Sequence, residues 1–303
     1  VDAMLTQLDE KTATWTQGGV EMRSRDGDSG MSKLTDTRAP LQWSTVPFGD
    51  SRLDINVTPL SLDAGTTSGD NNRRFGTGAL IQGQVAKANN LSTLSGDTLP
   101  SVDSQGSQNQ SGVEVSTALT GDHYKLELGT TPLGADLSTV VGGVQWSPQL
   151  TDYLKLIFTG ERRAVTDSLL SYVGAFDKYS GKHWGQVTRN GGKVQLSYDD
   201  GDVGFFVGGG AWSYLGENVA SNNSVEGSAG FYVRPLRADD RELKTGININ
   251  YMSYSKNLGY FSYGQGGYFS PQNYVSVSLP VDYSQTFSNL KLSVGAAVGR
   301  SEE

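Results

Sequence analysis

The chain has 303 residues, no cysteine, 39 glycines, 9 prolines, 18% charged residues and a formal charge of −8. That length allows one large all-β unit, while the acidic balance disfavours nucleic acid, whose phosphates need a basic stripe, and the missing cysteines argue against a zinc knuckle or a disulfide framework. No run of eighteen or more apolar residues exists, which excludes a transmembrane helix but not a barrel, because only every second residue of a barrel strand meets lipid.

Asp2 to Thr14 reads as the end of a helix, with Met4, Leu5 and Leu8 at helical spacing and Asp9, Glu10 and Lys11 on the other side. The start lacks the basic residues and apolar centre of a signal peptide, so an outer-membrane location implies a longer precursor. From Trp15 the period becomes two. Strands are expected at 15–25, 32–46, 50–63, 111–120, 122–131, 137–147, 151–163, 191–199, 202–214, 219–235, 240–254, 272–285 and 288–300. The alternation is clearest where Val275, Val277, Leu279 and Val281 interleave with Tyr274, Ser276, Ser278, Pro280 and Asp282. A period of two puts each set on one side of a sheet.

The connections alternate too. Those after even strands are tight, at Pro47 to Gly49, Gly121, Pro148 to Leu150, Asp200 to Gly201, Leu236 to Asp239 and Thr286 to Phe287. Three of those after odd strands are long: Ala64 to Gln110, Ala164 to Asn190 and Ser255 to Pro271. Bacterial barrels have short periplasmic turns and long outer loops, which places the N-terminus in the periplasm. The polar segment from Ala64 to Gln110 is expected to be a mobile surface loop, with Gly76 to Ala88 extending the neighbouring strands. Thirteen strands is an odd number, whereas single-chain bacterial barrels are even, so the barrel over 15–303 is expected to lack C-terminal strands.

With the apolar face on lipid, Leu53, Val57, Leu156, Leu196, Phe231, Ile249, Val277 and Leu292 point outward. The opposite parity lines a lumen with Arg38, Asp54, Asn56, Lys125, Glu127, Lys155, Glu161, Arg163, Glu226, Arg234, Asn248, Asn250, Tyr274 and Asp282. Facing lipid, such charges would cost about 2–4 kcal/mol each near midplane. Mixed charge without a ring of one sign suits a neutral polyhydroxylated substrate: amide, carboxylate and guanidinium groups match hydroxyls, and aromatic faces stack on sugar rings. Trp43, Trp146 and Trp212 read first as girdle or packing residues. Catalysis finds little support. Two histidines are too few for a clustered metal site, Ser168, His183 and Asp177 form a triad only on paper, and Gly208 to Gly210 lie inside a strand, not at a phosphate-binding turn. No cofactor is expected.

Four stretches in order resemble the C-terminal domain of the cellulose synthase operon protein C family: Gly129 to Gly134 followed by Val140 to Gly143; Arg162-Arg163 followed by Asp167 to Leu170; Gly181 to Gly185; and Tyr263 to Gln272. The resemblance runs from Trp15 to Gly299 and is weakest between Ala64 and Gln110. It implies a sixteen-stranded transmembrane antiparallel outer-membrane β-barrel, of which about thirteen strands fall in this chain, preceded by periplasmic tetratricopeptide repeats to whose end residues 1–14 belong. It further implies an outer-membrane channel that exports cellulose or a related exopolysaccharide without catalysis, in contact with outer-membrane lipid and, through the upstream repeats, with periplasmic and inner-membrane synthase components. The rival readings are an outer-membrane hydrolase barrel and a soluble all-β carbohydrate-binding module. Ser168, Leu169, Leu170, Trp184, Tyr263, Gln265, Tyr268 and Phe269, at the outer ends of strands, are expected to fold over the mouth and narrow it.

Overall fold

The computed structural model describes residues 11–90 and 100–302. The helix expected over Asp2 to Thr14 lies largely outside the described residues; Lys11 and Thr12 are helical. The strands are β1 (Trp15–Gly18), β2 (Glu21–Arg25), β3 (Leu34–Arg38), β4 (Leu41–Phe48), β5 (Ser51–Thr66), β6 (Ser107–Thr120), β7 (Tyr124–Thr130), β8 (Val140–Trp146), β9 (Leu154–Ala164), β10 (Ala175–Asp177), β11 (Lys182–Asp199), β12 (Val203–Glu217), β13 (Asn222–Arg237), β14 (Arg241–Tyr254), β15 (Tyr274–Phe287) and β16 (Leu290–Glu302). Among the described residues every pairing between these strands is antiparallel, and thirteen of the strands follow one another in sequence order from β1 to β16, skipping only β2, β3 and β10.

The first two expected strands are each broken once. β1 and β2 flank Gly19-Val20 as β3 and β4 flank Ala39-Pro40, and the breaks face each other, with the Gly19 N–H donating to the Pro40 carbonyl at 3.1 Å. Proline has no N–H for the ladder, so the hairpin kinks there. Elsewhere the strands run past their expected outer ends: β11 starts at Lys182, and β5 and β6 extend to Thr66 and back to Ser107.

Register fixes the facing. Leu53, Leu119, Leu126, Val144, Gly160, Gly192, Ala211 and Val225 are successive cross-strand partners, forming one apolar row from β5 to β13. One residue along, Asp54, Ala118, Glu127, Gly143, Glu161 and Gly191 form the opposite row. None of the eight residues expected to face lipid is buried, and Val57, Phe231, Ile249 and Leu292 are exposed. A soluble sandwich would instead cover this face with a second sheet.

The buried residues gather at the loop end of the other face. Leu60, Leu62 and Ala64 of β5 and Trp212 and Tyr214 of β12 have lumen parity, and loop residues cover all of them. Because one set of loops reaches strands as far apart in the sheet as β5 and β12, the sheet must curl with this face concave.

The segment between β5 and β6 corrects two expectations. It carries helices α1 (Asn71–Arg74) and α2 (Gly78–Ala88), so Gly76 to Ala88 extends no strand. The run GALIQGQVAKA is made largely of good helix formers, and that preference outweighs its weak alternation. Nor is the segment a free surface loop, since Phe75, Asn72, Ala86 and Val102 are buried. Its polar composition hid one aromatic anchor, Phe75, which sits edge-on to Trp184 at 5.2 Å.

Candidate functional site: a polar conduit under a packed cap

Cross-strand partners carry the expected lumen residues onto the concave face. Arg38 opposes Leu60, Asn56 opposes Ser116, Lys125 opposes Gln145 and Lys155 opposes Ser197. On the other wall Glu226 opposes Gly210 and Met252, Asn248 and Asn250 oppose Ser278 and Ser276, and Tyr274 and Asp282 oppose Met252 and Lys244. Arg234 reaches the same face at the short-turn end, where it grips Asp199 through two bonds of 2.9 and 3.0 Å while the Tyr232 hydroxyl donates to Asp199 at 2.8 Å.

Several of these groups bind one another. Lys125 meets Glu127 at 3.2 Å, Arg163 clamps Glu127 at 2.6 and 3.0 Å and reaches Glu161 at 3.2 Å, and Arg189 donates to Glu161 at 2.7 Å while lying over the Trp212 ring at 4.2 Å. This ladder crosses β7, β9, β11 and β12 and consumes most of its own charge. Bidentate guanidinium–carboxylate pairs are the stronger kind, so Glu127, Glu161 and Arg163 brace the wall. A second network joins Arg38 to Asp36 and Glu114, with the Tyr172 hydroxyl donating to Glu114. By contrast, Lys193, Gln195, Glu226, Asn250 and Tyr274 line a cavity of 410 Å3 whose floor includes Gly208.

The cap is built from loops. Helix α3 (Leu169–Val173) starts with a capping box: Ser168 Oγ accepts from the Ser171 N–H at 3.1 Å, and Ser171 Oγ accepts from the Ser168 N–H at 3.0 Å. The Ser168 hydroxyl also donates to the Gly267 carbonyl at 2.7 Å, and Asp167 accepts from the Phe269 N–H at 2.9 Å. The segments around Arg162 to Leu170 and Tyr263 to Gln272 are therefore joined directly. Leu169 packs with Leu60, Leu62 and Val173, while Leu170 packs with Phe75, Trp184 and Phe261. Trp184 is 0% exposed. Tyr263 lies 5.8 Å from the Trp184 ring, and Tyr268 stacks on Tyr214 at 5.4 Å with its hydroxyl accepting from Asn222 at 3.2 Å. Gln265 bonds through its N–H to the Ser262 carbonyl. Phe269 alone of the expected cap residues is exposed, touching Tyr274 edge-on at 5.4 Å.

Asp177 ties the cap to the β5–β6 segment. It accepts from Thr77 Oγ1 at 2.7 Å, Gln105 Nε2 at 2.8 Å, the Ser180 N–H at 3.1 Å and the Thr77 N–H at 3.2 Å. Burial pushes this carboxyl upward, but the bonds from Ser180, Thr77 and Gln105 together outweigh it and hold it below its ordinary value. Beside it, Gly76 has φ +56° and would place a Cβ 2.5 Å from Asp177 Oδ1, which only glycine avoids.

The paper triad does not assemble: Ser168 bonds Gly267, Asp177 bonds Thr77, Gln105 and Ser180, and His183 lies 3.5 Å from Asp136. Among the described residues no group of three or more His, Cys, Asp or Glu is placed to hold a metal. Sequence reasoning missed Phe75, Gln105, Tyr214 and Leu258 as parts of the cap. One signal existed: Leu60, Leu62 and Tyr214 are large apolar or aromatic residues on the otherwise polar parity, always toward the loop end.

An apolar outside, a polar inside, short turns at one end and long loops at the other define the class, a transmembrane β-barrel of the bacterial outer membrane. The family described as cellulose synthase operon protein C C-terminus matches residues 32–303, and this chain belongs to it. Cellulose synthase operon protein C of Pseudomonas fluorescens is 34% identical over 302 residues, covering 98% of this chain and 22% of that protein. The Xanthomonas axonopodis pv. citri protein of the same name is 38% identical over 210 residues, covering 67% of this chain and 14% of its own length. The chain thus spans between 14% and 26% of the length of these curated relatives. Among solved structures, the in-vitro folded OmpT of Vibrio cholerae aligns over 95% of this chain and 86% of its own, with a TM-score of 0.42 and 10% identity.

Proposed function

We propose that the concave face conducts a β-1,4-glucan or a closely related exopolysaccharide from periplasm to cell surface, with the loop cap narrowing the outer mouth. The observation that carries this reading is the contrast within one face: a braced charge ladder on β7–β11, and beside it Glu226, Asn250, Tyr274 and the serines of β13 and β15, which leave hydrogen-bonding edges toward the 410 Å3 cavity. A neutral polyhydroxylated chain sliding past such a wall makes many weak bonds and no tight one, which conduction requires. The reading is non-catalytic, in keeping with the separate partners of Ser168, His183 and Asp177. Contacts with synthase components through upstream repeats belong to the same proposal.

The test uses the full-length protein in cells that secrete the polymer. Ser228→Trp combined with Ser276→Trp places two rings over the cavity from half-exposed lumen positions. Export should fall steeply while heat-modifiable migration, the mark of an assembled barrel, is kept. Undiminished export through an assembled double variant would exclude this face as the path. Single alanine substitutions at Asp54, Asn250 or Tyr274 should each reduce output only partially. Complete loss from one of them with normal assembly would point to a single-site mechanism.

A further inference from the structure

On the outward surface of β7, β8, β9 and β11 lies a groove of 490 Å3. Leu126, Val144, Trp146, Phe158 and Val194 form its walls and are exposed, with Trp146 and Phe158 stacked at 5.4 Å. Gly160 and Gly192, paired across β9 and β11, form part of its floor. Two residues beyond Gly160 on the same face, toward the loop end, stands Arg162. Its Nε donates to the Val140 carbonyl at 2.9 Å, Nη1 to Asn190 Oδ1 at 2.9 Å and Nη2 to Thr139 Oγ1 at 3.1 Å.

All three acceptors are neutral. Among the described residues no carboxylate pairs with Arg162, whereas the lumenal Arg163 and Arg189 next to it both hold glutamates. An uncompensated cation on a lipid-facing surface is tolerated only near the headgroup level, so Arg162 marks that level at the outer leaflet. A guanidinium has five N–H donors, and three are engaged, which leaves two to take a phosphate oxygen pair. From Arg162 to Phe158 the strand runs about 13 Å, four residues at roughly 3.3 Å each, from the charge down into the apolar groove.

We propose that this groove, headed by Arg162, binds an acyl lipid of the outer leaflet through its phosphate, the phosphate seated on the guanidinium and one acyl chain lying over Gly160 and Gly192 between Val144 and Phe158. Charge selects the headgroup and the groove selects the chain. This site is independent of what the lumen conducts.

Native mass spectrometry of the purified full-length protein, titrated in detergent with bis-phosphorylated lipid A, dephosphorylated lipid A or inorganic phosphate, tests it. Two variants separate the halves: Arg162→Gln removes the charge, and Gly160→Leu fills the groove. A Cβ at position 160 would meet Val144 Cγ2 at 3.7 Å, an ordinary contact, so the fold accommodates it. The wild type should bind phosphorylated lipid A about fivefold more tightly than Arg162→Gln. Gly160→Leu should also weaken it, and inorganic phosphate should give no adduct. Heat-modifiable migration confirms that each variant has assembled. Equal binding of dephosphorylated lipid A, an inorganic phosphate adduct, or wild-type affinity in either assembled variant would overturn the proposal.

Discussion

Strand β12 shows two environments on one face. At Gly208 and Gly210 the lumen side is bare backbone beside Glu226 and Gln195; at Trp212 and Tyr214, a few residues toward the loops, the same parity is buried under Arg189, Tyr268 and Leu258. Alternation is identical in both, and what differs is whether a loop comes back to cover it. The lower half is therefore a wall that leaves polar edges free, while the ion pairs of Glu161, Arg163 and Arg189 lie level with Trp212 and Tyr214. The upper half is a small core held by close packing around bonded polar groups such as Ser168, Ser171 and Asn222, while the indole N–H groups of Trp184 and Trp212 have no hydrogen-bond partner.

The largest way to break that contrast is in the upper half. Trp184→Ala should cost the cap about 3–5 kcal/mol, as large-to-small changes at fully buried aromatics do. Hydrogen exchange in α3 should accelerate accordingly, with exchange in β13 to β15 unchanged. Among the ion pairs, Arg163→Ala leaves Glu127 and Glu161 without their shared partner, and a lost charge-assisted hydrogen bond is worth about 1.5–3 kcal/mol, less here because the side chains are partly solvated. The expected result is a lower barrel melting temperature and a shift of bilayer selectivity toward cations. Equal acceleration of cap and wall exchange in either variant would mean that the two halves are one cooperative unit.

Protonation sharpens the comparison. Because Asp177 titrates below its unfolded value, its contribution to the cap is present above about pH 4 and is lost as pH falls through the depressed folded value. Proteolytic nicking of the β5–β6 segment should rise below that pH in the wild type, while Asp177→Asn should be nicked at neutral pH as well. A pH-independent nicking rate would count against Asp177 as the tie between the loops. The smallest effect belongs to the exposed Arg74–Asp28 pair at 3.0 Å. Arg74→Ala should change cap exchange by no more than about 0–1 kcal/mol.

Facing and strand order were legible because they depend on a period of two and on turn length, both local properties. Val277 and Asn250 could be placed on opposite faces from sequence alone. The cap was legible only in outline. The resemblance singled out Arg162 to Leu170 and Tyr263 to Gln272, but their joint through Ser168 and Gly267 spans 99 positions of sequence, and no periodicity records such a contact. The Ala64 to Gln110 segment misled because composition averages over the few residues that dock it, Phe75, Thr77 and Gln105 among them. Arg162 is outward by the same parity that turns Arg163 inward; what the sequence does not show is that its three hydrogen-bond acceptors are all neutral.

The most direct measurement of the central claim is single-channel conductance of the full-length protein in planar bilayers, with and without residues Tyr263 to Gln272. Removing that segment takes away Tyr268, the Gly267 acceptor of Ser168 and the Phe269 tie to Asp167. If a packed cap narrows a polar conduit, conductance rises in the deletion while heat-modifiable migration is retained. An assembled deletion variant with unchanged conductance would show that the constriction lies elsewhere and that the loops only decorate the mouth.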